Sequence, residues 1–266
     1  MLELALVAGG EPGFARVRQL PGGELEAEIR HCDGAAAAAH LRFVLAVDVD
    51  VAPYLAIARD DPLLRGGGEA RSGRRPLRTS TVAQATIRAA TGQLIASRRA
   101  REIERAILRC TGTPVGDLVA PPTGAQLRAR LSAAQAERCG LSPARAAAVV
   151  ALAGRVDLDR LRGRPVTEVA ARIARERGFG PWSAGVVCLH GIGSYRFGPV
   201  GDLGLMRMCT ALLGRPAEVG DTSLLLDRYA PWAGLAGAQL LLHPLARSRG
   251  GSSTARGCSQ PAVRVG

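Results

Sequence analysis

Gly178-Phe179-Gly180-Pro181-Trp182-Ser183, then an apolar run, then Gly198-Pro199-Val200-Gly201-Asp202-Leu203-Gly204-Leu205: these two glycine-bounded stretches decide how the chain reads. Ahead of them, Thr167 to Arg177 places Val169 and Ile173 four apart, on one face of a helix. Gly178 suits the left-handed position just past a helix end, and Pro181 suits the first turn of the next helix. The pattern predicts helix, tight hairpin and helix over about 167–190, then a loop and a further helix from Leu203. Such a turn aims backbone N–H groups outward, able to grip a phosphate without a charged side chain. On local sequence Asp202 reads first as the cap of the helix it precedes; capping amides and the helix dipole also keep its carboxylate ionised.

Working outward, Thr81 to Cys110 predicts a helix with Ile87, Leu94, Ile95, Ile103 and Ile107 broadly to one side. Arg98, Arg99, Arg101 and Arg105 fall on its polar positions, and Gly92 marks an end or a kink. Ser142-Pro143 starts another helix and Gly154 stops it, with Leu158 to Arg164 as a connector. Asp221 to Leu242 supplies one or two more. Near the start, Phe14–Leu20 and Glu24–Arg30 alternate like half-buried strands around a Pro21-Gly22-Gly23 turn. Leu41 to Leu64 reads as helical in two pieces. The division expected is an N-terminal α+β unit over 1–68, a helical core over 69–246 and a disordered tail over 247–266. The fold class is mostly α with a small antiparallel sheet.

These motifs resemble the helix-hairpin-helix base-excision DNA glycosylase superfamily, most closely the DNA-3-methyladenine glycosylase II family. Arg88-Ala89-Ala90-Thr91-Gly92-Gln93-Leu94 is similar to that family's first core helix, with Leu94 where its DNA-inserting wedge lies. From periodicity alone Leu94 would be core; Gln93 would bond nearby backbone or the opposing strand. The resemblance implies DNA contacts at Leu94, Gln93, Arg177, Gly178, Phe179, Gly180 and Ser183. It implies Asp202 as the catalytic carboxylate and a base pocket at Trp182, Val186, Tyr195 and Leu245. Family aromatics are replaced at Val186 and near Leu245, so stacking falls to Trp182, Tyr195, Phe197 or Trp232. Trp182 stands where lyase relatives carry a Schiff-base lysine, and the sequence contains no lysine. The resemblance therefore implies a monofunctional, water-using glycosylase acting on damaged purines, alkylated ones in particular, in double-stranded DNA. The alternatives are a non-catalytic helix-hairpin-helix DNA-binding protein and a glycosylase for another lesion, such as deaminated purines. It also implies a monovalent cation (Na+ or K+) at the hairpin carbonyls from Arg177 to Phe179.

Bulk properties agree with a polyanionic partner. The net charge is +12, and all 35 basic residues are arginine, a pattern that codon bias can also produce. Six cysteines without a C-x-x-C pair argue against a zinc site, a disulfide framework and the four-cysteine iron–sulfur loop. They read as mostly buried, reduced thiols. His190 and His243 lack metal-ligand spacing. Met1 to Val7 lacks the basic start of a secretory leader, and no apolar run is long enough to span a bilayer. A cytoplasmic, nucleoid-associated monomer with no cofactor is the expectation.

Overall fold

A computed structural model describes residues 1–65, 74–92 and 97–247. Gln93 and Leu94, most of the basic linker and the tail from 248 lie outside the described residues. Three strands open the chain: β1 (Leu2–Ala8), β2 (Glu11–Gln19) and β3 (Leu25–Arg30), antiparallel in the order β1-β2-β3. The alternation read in β2 is real, whereas β3 is exposed along its length apart from half-buried Ile29, because no layer covers its other side chains. Ala15 and Val17 join Leu6 and Ala8 of β1 against Ala37 and Leu41 of α1 (Gly34–Val44). Opposite them, Arg16 pairs with Glu3 and Glu28, and Arg18 with Glu26, so the outer face is a charged ladder.

The helices follow as α2 (Ala52–Asp60), α3 (Pro62–Arg65), α4 (Val82–Gly92) and α5 (Ser97–Thr111), then a short hairpin of β4 (Thr113–Val115) and β5 (Leu118–Ala120). Next come α6 (Gly124–Arg130), α7 (Ala133–Arg138), α8 (Pro143–Arg155), a 3-10 turn (Leu158–Gly163) and α9 (Val166–Ala174). The chain ends with α10 (Pro181–Val186), running on as a π-turn (Val187–Ile192), and with α11 (Leu203–Leu213), α12 (Val219–Asp227), α13 (Ala233–Leu240) and α14 (Pro244–Arg247). The stretch from Thr81 to Cys110 is two helices, and α4 ends at Gly92, where the sequence predicts an end or a kink.

Two helical cores result. One gathers Ile87, Ile103, Ile107, Leu127, Val149, Leu152, Ile173 and Val187 from α4 to α10. The other joins Leu205, Met208, Leu226, Leu235 and Leu240 of the last helices to Tyr54 and Ala58 of α2. The division expected at residue 68 therefore misplaces α2: Tyr54 is fully buried among C-terminal helices and donates its hydroxyl to Gln239 at 2.9 Å. Burial of this kind pairs residues far apart in sequence, which periodicity does not register.

Two histidines lock the start of α4 to its surroundings. His40 Nε2 lies 2.9 Å from Ser80 Oγ, and His190 Nδ1 lies 3.0 Å from the Leu77 carbonyl, a contact that needs the proton on Nδ1. Burial holds both imidazoles down at about 4, below the ordinary 6.5, with Arg162 beside His40 and Arg88 beside His190 adding to it. Between pH 6.5 and about 4 the unfolded chain binds these protons and the folded one does not. Stability from these groups is thus complete above about 6.5 and is lost as pH falls toward 4. Thermal melts from pH 7 to pH 4 should show a falling Tm, with a shallower slope for His40→Gln. An unchanged slope in that variant would remove His40 from the account.

Candidate active site

Sequence sets the hairpin's shape. Helix α9 buries Val169, Ala170 and Ile173, and the chain turns back after Glu176, a carboxylate only 7% exposed. Arg172 at 2.5 Å and Arg155 at 3.6 Å neutralise it. Phe179 N donates to the Glu176 carbonyl at 2.9 Å, closing the turn. Gly178 takes φ +86, and a Cβ there would sit 2.7 Å from the Ala148 Cβ of α8. Glycine is demanded twice, by conformation and by contact. Pro181 then opens α10, where Ala184 N donates to the Gly180 carbonyl at 3.0 Å. Arg175, Arg177 and Gly178 face solvent, whereas Phe179 and Ser183 are buried. With those two side chains buried, their backbone is the part a strand would meet at this turn.

Asp202 stands at the N-cap of α11 and is half-buried. Its Oδ1 accepts from Gly204 N at 2.7 Å, and its Oδ2 accepts from Trp182 Nε1 at 2.9 Å. The loop ahead of it is fixed by Gly201, at φ +81, whose N–H donates to Thr222 Oγ1 at 2.8 Å, and by Asp202 N on the Pro199 carbonyl at 3.1 Å. Trp182 comes from the hairpin's second helix and packs against the first core, while α11 roots in the second. The indole–carboxylate bond therefore crosses from one core to the other. The ring also lies on Gly92, where a Cβ would come 2.8 Å from Trp182 Cη2. Gly92, read as a helix breaker, is also the seat of this tryptophan. The hydrogen bond itself has one signal in sequence, that a partly buried indole N–H needs an acceptor; nothing there names Asp202.

Of the four residues expected to line a base pocket, Trp182 bonds to Asp202. Val186 is 8% exposed and packs in the first core. Tyr195 belongs to the second core, 5% exposed, with its ring 5.8 Å from Trp232 and its carbonyl accepting from Gly234 N at 2.7 Å. Both side chains are packed in the cores of the described structure. Leu245 sits half-buried on α14, which caps the side of α11: Ala246 O accepts from Arg207, and Leu241 approaches Gly204 so closely that a Cβ would meet it at 2.5 Å. Leu203, beside Asp202, is 47% exposed. Exposed Arg98, Arg99, Arg101 and Arg105 line the outside of α5. A separate cleft lined by His40, Ser80, Asp159 and Arg162 lies at the opposite end of α4 from Gly92. No metal-ligating cluster occurs among the described residues, and no described helix is long and apolar enough to cross a membrane.

The glycine-turned hairpin, the helix-capping aspartate and the small N-terminal sheet form a fold shared with solved DNA glycosylases. No family model matches the chain, and no curated protein matches it in sequence. Solved structures do match it. The chain is similar to the 3-methyladenine DNA-glycosylase from Archaeoglobus fulgidus, with TM-score 0.77 and 20% identity over 90% of this chain and 85% of that one. It is similar to the Clostridium acetobutylicum 8-oxoguanine glycosylase/lyase in complex with double-stranded DNA (0.71; 16%; 90% and 83%). A third is the Schizosaccharomyces pombe 3-methyladenine DNA glycosylase in complex with abasic DNA (0.52; 15%; 76% and 94%). At these identities the likeness establishes the fold.

Proposed function

We propose that the protein is a monofunctional DNA glycosylase that flips a damaged purine from double-stranded DNA and hydrolyses its bond to deoxyribose, leaving an abasic site. The observation that carries this is the posture of Asp202: half-exposed, with each oxygen held by an N–H donor, on a loop tied to the hairpin helix through Trp182. Departure of the base builds positive charge on the sugar. A fixed carboxylate beside C1′ stabilises that charge and helps align the incoming water. With no lysine in the sequence and Trp182 at the lyase position, water is the nucleophile. The hairpin backbone that leads into α10 at Gly180, with Arg177 exposed beside it, holds the strand with salt-sensitive affinity. The hairpin carbonyls from Arg177 to Phe179 would hold a Na+ or K+, since oxygen donors suit such hard cations, and the ion would supply positive charge for a DNA phosphate. The wedge role for Leu94, with Gln93 beside it in sequence, belongs to the same proposal and rests on the resemblance of the Gly92-Gln93-Leu94 motif.

An alkylated purine is the favoured lesion. It already carries positive charge, so it leaves readily and asks less of a pocket poor in aromatics; the A. fulgidus and S. pombe neighbours support the same class. Burial of Val186 and Tyr195 favours the rival reading, a DNA-binding protein without catalysis. Incubation with alkylated duplex DNA separates the two: released 3-methyladenine or 7-methylguanine supports the enzyme, and binding without release supports the rival. A panel with 8-oxoguanine and hypoxanthine duplexes tests the lesion class.

Trp182→Phe keeps a ring over Gly92 and removes only the indole N–H to Asp202 Oδ2. Hydrogen bonds to charged groups contribute about 1.5–3 kcal/mol, so single-turnover base release should fall roughly ten- to hundredfold, with DNA affinity nearly unchanged. Equal loss of affinity would mark Trp182 as a DNA contact instead.

A further inference from the structure

Cys110 ends α5 one residue before its last position, and Cys139 caps the C-terminus of α7. Their sulfurs lie 3.9 Å apart. Cys110 is exposed and Cys139 half-buried, while Cys188 and Cys209 are buried. The closeness is built in. Gly140, next to Cys139, turns at φ +108, and a Cβ there would meet Arg99 Nη2 at 2.8 Å and Ile103 Cγ1 at 3.1 Å, so this corner is pressed onto α5. Arg109 and Arg138 flank the pair; they pull the Cys139 thiol down against burial and the neighbouring sulfur, which push it up.

We propose that Cys110 and Cys139 form an oxidative modification site, at which a peroxide converts the two thiols into a disulfide joining α5 to α7. The Cys110 thiolate attacks one peroxide oxygen; the O–O bond breaks, and hydroxide leaves and takes up the thiol's proton as water. Cys139 sulfur then attacks the resulting sulfenic acid. The S–O bond breaks, an S–S bond forms, and hydroxide leaves with the Cys139 proton as a second water. Each sulfur gives up one electron, and the peroxide is reduced by two. A disulfide needs the sulfurs at about 2 Å, a shift that side-chain rotation in two adjoining helix ends supplies. The link closes the β4–β5 hairpin, α6 and α7 into one covalent loop, which constrains the unfolded chain.

The test treats the folded, full-length protein with hydrogen peroxide, alkylates remaining thiols and maps the peptides. The expected result is one Cys110–Cys139 linked pair, lighter by about 2 Da, reversed by dithiothreitol and absent in both Cys110→Ser and Cys139→Ser. The oxidised protein should melt higher by about 5 °C or more. Cys110 driven to sulfinic acid while Cys139 remains alkylatable would overturn the proposal. So would a linked pair dominated by Cys32.

Discussion

Asp202→Asn is expected to slow base release by about a thousandfold and to leave the protein folded and able to bind duplex DNA. Two unit charges about 4 Å apart at an effective dielectric near 20 attract by roughly 4 kcal/mol. If that attraction exists only while the sugar is cationic, it lowers the barrier by the same amount, about three powers of ten in rate. Asparagine removes the charge but remains a good cap, so Oδ1 can still accept from Gly204 N and α11 keeps its first turn. The local cost lies on the other side. An Nδ2 amide now faces the Trp182 N–H, two donors where donor and acceptor met at 2.9 Å, a loss of about 1–2 kcal/mol. The hairpin at Gly178 is untouched, so binding and its salt dependence should match wild type. Single-turnover release from an alkylated duplex, with a parallel thermal melt and a binding titration, reads all three quantities. Wild-type release rates in the variant would remove Asp202 from the chemistry.

Which parts of this site could be read from sequence follows from how local each demand is. Gly178 and Pro181 announce a hairpin because φ +86 and a proline-opened helix are constraints on single residues. Asp202 announces a cap for the same reason. The Trp182–Asp202 bond joins residues 20 apart through two packed cores, and no periodicity encodes it. Tyr195 shows the same limit: in a chain this poor in aromatics every ring looks available for a base, and sequence does not show that this one packs in the second core beside Trp232. The strand Leu2–Ala8 escaped because the residues between its inward Leu4, Leu6 and Ala8 are the apolar Ala5 and Val7, which blur the alternation, and β4 and β5 because three residues are too few to alternate. Tyr54 joins the last helices across 185 positions. What local chemistry dictates was legible; what depends on remote partners needed the fold.

The larger structural effect is expected from Gly185→Ala. Gly185 lies in α10, three residues past Trp182, with the loop that leads to Asp202 pressed against it. A Cβ at Gly185 would come 2.1 Å from the Gly198 carbonyl oxygen and 2.6 Å from its carbon. Both atoms are backbone, so no rotamer relieves the clash; helix and loop must part by about 1 Å or more to restore van der Waals distance. Helix propensity pulls the other way, alanine gaining about 1 kcal/mol over glycine. Overpacking of a close-packed interior costs about 1–3 kcal/mol and more where backbone must move, so destabilisation wins. The same separation moves Asp202 relative to Trp182, and an error near 1 Å in a reacting group costs roughly a hundredfold in rate. Gly154→Ala in α8 is the control, because a Cβ there meets nothing within 4 Å. It should raise Tm slightly by the propensity term alone. Gly185→Ala should lower Tm by several degrees and depress base release beyond what its unfolded fraction accounts for. If it melts and turns over like wild type, the spacing between the hairpin helix and the aspartate loop is not what sets the site.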